Sequence, residues 1–97
     1  MSRLYLDYPG TLARVRELRS IAEEVGQIAS DLRDLNDGIP AYWKGAAADA
    51  YREKSETLQR LIAENRQELD SLASRIRRIA DIIHEQDLRD AQAARSL

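Results

Sequence analysis

The sequence predicts an all-α fold, a helical hairpin that supplies half of a larger helical bundle. Three observations predict it. Ala, Leu, Arg, Glu and Gln, all good helix formers, dominate the composition. The four Gly and two Pro fall almost entirely at two places, Pro9-Gly10 and the Gly38–Gly45 stretch. The segments between carry apolar residues at alternating steps of three and four.

The first helix is expected over about residues 11–37. Thr11 or Asp7 can cap its entry, and Pro9 suits a helix start, where its missing N–H is not needed. Val15, Leu18, Ala22, Val25, Ala29 and Leu32 form a heptad seam, and Ile21, Ile28 and Leu35 run beside it at intervals of seven. The stripe is therefore wider than a two-stranded coiled coil needs and suits a helix with two neighbours. Gly26 interrupts it and reads most simply as a tolerated glycine on the solvent side, with a close helix contact as the other reading. Asn36-Asp37-Gly38 is a stop signal, with Gly38 able to take a positive φ past the C-terminus.

The turn is expected over about 38–45 and the second helix over about 45–92. The second seam runs through Leu58, Ile62, Asn65, Leu69, Leu72, Ile76, Ile79 and Ile83, and extends back through Ser55 and Tyr51 to Ala48. Leu61, Ala73, Ala80 and Ile82 widen it. One hairpin cannot cover two apolar faces of this width, so a dimer is expected. Its core is assigned to Leu18, Val25, Leu32, Leu58, Ile62, Leu69, Leu72, Ile76, Ile79 and Ile83. Asn65 reads either as a hydrated edge residue or as a polar group that fixes register.

Composition excludes several functions. With no Cys there is no disulfide, zinc finger or thiol nucleophile, and one His makes a His-based metal site unexpected. The net charge of −2 argues against nucleic-acid binding, and Arg75, Arg77 and Arg78 read as a solvated helix face on which Arg77 can meet Asp81. The carboxylates are spread along helical surfaces with no apolar pocket to shift them, so neither catalysis nor a cofactor is expected. No stretch is apolar enough to span a membrane, and the first nine residues lack the apolar run of a general-secretory signal peptide.

The turn holds the sequence's one Trp: Tyr42-Trp43-Lys44-Gly45-Ala46-Ala47-Ala48-Asp49-Ala50-Tyr51. A Trp here can simply cap the end of a helix pair, and Gly45 can let the chain reverse or let a helix approach closely. Trp43-Lys44-Gly45 is also a Trp-X-Gly motif, with small Ala47 and aromatic Tyr51 in the next two turns. Lying mid-chain between heptad helices, in a sequence of 97 residues, it resembles the WXG family, the ESAT-like substrates of type VII secretion. The resemblance implies a hairpin that pairs antiparallel into a four-helix bundle, as a homodimer or as a heterodimer with another WXG-type protein. It implies folded export without a signal peptide through the type VII secretion ATPase, with Trp43, Gly45, Ala47 and Tyr51 contributing to the recognition signal. A larger toxin or effector is a further partner it suggests. Many members also carry Tyr, three residues and an acid after the second helix. Here no Tyr follows Tyr51, so a helical adaptor or chaperone that dimerises and stays in the cytoplasm is the alternative reading.

Overall fold

The computed structural model describes residues 6–97; the first five residues of the head lie outside the described part. Two helices account for most of it, α1 (Tyr8–Asp37) and α2 (Ala46–Arg95). They pack side by side as a hairpin whose backbone measures 80 × 17 × 15 Å.

Helix α1 starts ahead of the expected Thr11, because Asp7 takes the cap: its carboxylate accepts from the Gly10 N–H at 3.2 Å. Pro9 occupies the first turn, and the Thr11 hydroxyl donates to the Asp7 carbonyl at 2.8 Å instead of capping. The helix stops where expected by a different geometry. Gly38 has φ −79°, not a positive value, and its N–H donates to the Asp34 carbonyl at 3.0 Å. The stop comes from Pro40, which has no N–H to continue the helix and holds Ile39 away from helical geometry.

The buried residues explain why the apolar stripes are wide. Val15, Ala22 and Ala29 form a buried row on α1, facing Ala48, Ser55, Ala73 and Ala80 of α2. All but Val15 are small, so the helices approach closely along this line and the large aliphatic side chains are pushed to its flanks. Leu18, Val25 and Leu32 of α1, and Ile62, Leu69, Ile76 and Ile83 of α2, are half-buried there. Ile21, Ile28, Leu35, Leu58, Leu61, Leu72, Ile79 and Ile82 remain exposed. Full burial of a Leu or Ile side chain stabilises by about 1.5–3 kcal/mol, so much of what these residues can contribute is not realised within one hairpin.

Gly26 corrects the solvent-side reading. It faces α2, and a Cβ there would meet the Arg66 guanidinium and its Cδ. Only the far end of a flexible side chain is in the way. Gly26→Ala should therefore raise stability by up to about 1 kcal/mol in thermal melts, the helix-propensity gain, as Arg66 swings outward.

At the open end, Tyr8 ties α1 to α2. Its hydroxyl donates to Asp81 Oδ1 at 2.5 Å, its ring stacks on His84 with centroids 3.9 Å apart, and Arg77 reaches the same Asp81 oxygen at 3.3 Å. The Arg77–Asp81 pair is the one expected from spacing; the contacts to Tyr8 are long-range. The Tyr8 hydrogen bond, followed by Arg77, holds the Asp81 carboxyl below its ordinary value, and the same hydrogen bond raises the Tyr8 phenol. A depressed carboxylate contributes stability above its unfolded pKa and loses it as pH falls through the folded one. The raised phenol contributes below its ordinary 10.0 and loses that contribution at higher pH. Tyr8→Phe should accordingly give a small loss of stability at neutral pH. It should also reduce the pH dependence of the melt both below the ordinary Asp value of 3.8 and above pH 10.

Candidate functional site

The aromatic tip lies at the closed end of the hairpin. The Trp43 N–H donates to the Pro40 carbonyl at 3.0 Å, which folds residues 40–43 into a tight turn. Gly45 follows at φ 112° and ψ 172°, a conformation essentially reserved for glycine. Nothing lies within 4 Å of a Cβ built there, so Gly45 serves the chain reversal and not a close helix approach. Its carbonyl accepts from the Asp49 N–H at 3.0 Å and so opens α2. No side chain caps this helix start, and Asp49 in its first turn is the favourable charge for that end.

The reversal leaves the motif on the outside. Tyr42 is 82% exposed and Trp43 38%. Trp43 rests against Tyr51, with ring centroids 5.7 Å apart and tilted by 55°. Arg52 clamps the turn: its guanidinium donates to the Trp43 carbonyl at 2.9 Å, sits 5.8 Å from the centre of the indole, and lies 3.8 Å from Asp49. Of the three alanines after Gly45 only Ala48 is buried; Ala47 is exposed on the first turn of α2. Trp43, Gly45 and Tyr51 are thus brought together at one tip, with Ala47 on its surface.

Arg52 and Tyr42 were not singled out from the sequence. Arg52 follows Tyr51 directly and lies one turn beyond Asp49. That spacing puts it on the side of α2 facing the turn, but nothing in its residue type separates it from the other arginines.

The second feature is a flank of the hairpin. Val25 and Ile28 of α1 and Ile62, Asn65, Glu68, Leu69 and Leu72 of α2 line an open groove of about 460 Å³. The exposed Ile21, Leu35, Leu58 and Ile79 continue the same heptad rows along the molecule. The residues expected in a dimer core therefore divide. Ile62, Leu69, Ile76 and Ile83 lie along the seam between the two helices, while Leu58, Leu72 and Ile79 look outward beside it. Asn65 sits in the groove, flanked by apolar side chains.

The chain is thus an elongated two-helix hairpin with an aromatic Trp-X-Gly tip and an open apolar flank. The chain matches the family model described as proteins of 100 residues with WXG over residues 5–88, and it belongs to that WXG100 family. Its members are non-enzymatic helical proteins, typically substrates of type VII secretion. The chain is also similar to an uncharacterized protein of Clostridium acetobutylicum, 31% identical over 71 residues, which cover 73% of this chain and 74% of that protein. No described helix is long and apolar enough to cross a membrane.

Proposed function

We propose that this protein is exported folded by a type VII secretion system, as one member of a paired four-helix bundle. In this reading the open flank docks against a second hairpin, and the tip carrying Trp43, Gly45, Ala47 and Tyr51 is read by the secretion ATPase. The observation that carries it is the exposed, clamped Trp43 at the end of a hairpin whose apolar flank is uncovered. A large aromatic held rigidly at a convex end loses little conformational freedom when it inserts into a partner pocket. The pair travels alone or with a larger effector attached.

The absence of any Tyr after Tyr51 favours a second reading, a dimeric cytoplasmic adaptor. Comparing culture supernatant with and without the secretion ATPase separates the two. Export predicts the protein in the supernatant of the intact strain and its retention when the ATPase is removed. Retention in both strains means that the adaptor reading holds.

A further inference from the structure

Both backbone polar groups of Trp43 are hydrogen-bonded, each by a different means. The N–H donates to the Pro40 carbonyl within the turn at 3.0 Å. The carbonyl accepts from Arg52, on the second turn of α2, at 2.9 Å, and the same guanidinium lies 5.8 Å from the centre of the indole. Among the described residues no other hydrogen bond joins residues 39–44 to α2. The covalent link is Gly45, at φ 112°, the residue type that restrains the backbone least. Trp-X-Gly by itself therefore leaves the ring on a loose joint.

Arg52 holds this position against an alternative. Glu56 lies one turn further along α2 and lines the same polar groove as Arg52, together with Asp37. An arginine and a glutamate four residues apart on a helix are placed to pair. Here the guanidinium turns to the tip instead, and Asp49, at 3.8 Å, is the acid it approaches.

We propose that Arg52 is the positioning residue of the recognition tip, presenting Trp43 to the secretion ATPase with its backbone already satisfied. This rests on the export reading above and adds to it a residue outside the Trp-X-Gly motif. In the free protein an exposed Trp43 carbonyl bonds to water almost equally well, so Arg52 adds little to stability there. When the tip enters an apolar slot that water is stripped away, and a carbonyl without Arg52 is left unpaired. The guanidinium over the indole, with the Tyr51 ring centre 5.7 Å away, also fixes the ring before binding, so less freedom is lost on insertion. A planar fork can bond the carbonyl and lie over the ring together, whereas an ammonium is a point charge and cannot do both.

The chain has one Trp, so Trp emission reports this site alone. Arg52→Met keeps a long side chain and good helix propensity. It should melt close to the parent and pair as the parent does, while acrylamide quenches Trp43 more strongly. Its ATPase-dependent export, at equal cellular level, should fall about tenfold, the size of one stripped acceptor. Arg52→Lys should fall between the two in both readouts, and it carries the comparison if the Met variant melts early. Glu56→Gln removes a charge one turn away and should match the parent in both. An Arg52→Met chain that quenches like the parent, or is exported like it, overturns the positioning role. So does Glu56→Gln with the same export defect, since loss of charge near the tip then explains it. A parent chain retained with and without the ATPase ends the export reading itself. Parental quenching in Arg52→Met beside normal export of the parent ends only the role of Arg52.

Discussion

Leu69→Asp and Ile76→Asp are each expected to abolish assembly and to lower stability by several kcal/mol. Both side chains are half-buried in the seam between α1 and α2, and Leu69 also lines the open groove. A carboxylate at either site loses its hydration and gains no partner, which costs several kcal/mol, comparable to the whole stability of a small domain. Circular dichroism should show a lost or strongly lowered thermal transition, and sedimentation should show no species larger than one chain. Leu69→Met keeps the volume and apolar character and should cost less than about 1.5 kcal/mol. If Leu69→Asp melts and sediments like the parent chain, that row is not the core.

The second large effect is expected at the tip. Trp43→Ala removes the ring that contacts Tyr51 and Arg52, but the side chain is already 38% exposed and lies beyond the helical seam. The loss of stability should be about 1–2 kcal/mol, below the 3–5 kcal/mol typical of a buried Trp. The hairpin and its pairing should persist, while export should fall to the level seen without the ATPase. Melting temperature and supernatant level measured on the same variant separate recognition from packing. A Trp43→Ala chain exported normally shows that the tip is not the recognition element.

Much of this was legible from spacing alone. A helix of known period declares which residues share a face, so both seams, the stop near Asp37 and the surplus of apolar width could be read without a structure. The period says nothing about how one helix is aligned against another. That alignment depends on the length of the turn and on where small residues allow close approach. The Gly26–Arg66 contact and the stack of Tyr8 on His84 were therefore invisible, and of the two caps that the sequence allowed, Thr11 and Asp7, only the structure selects Asp7. The two glycines of the turn were only partly legible for a related reason. Either Gly38 or Gly45 can supply a positive φ, and only the path of the chain shows that Gly45 does so, at 112°, while Pro40 ends the helix. The Trp-X-Gly tip was legible as a motif, but the Arg52 clamp that holds it was not, since it joins residues from the turn and the second turn of α2.

The account rests on the claim that the flank lined by Ile21, Ile28, Leu58, Leu72 and Ile79 is an interface and not a solvent face. Sedimentation equilibrium of the unmodified protein at micromolar concentration tests this most directly. Pairing predicts a mass about twice the 11.0 kDa of one chain, at every wavelength and rotor speed. A single species of one chain mass that keeps full helicity would contradict it.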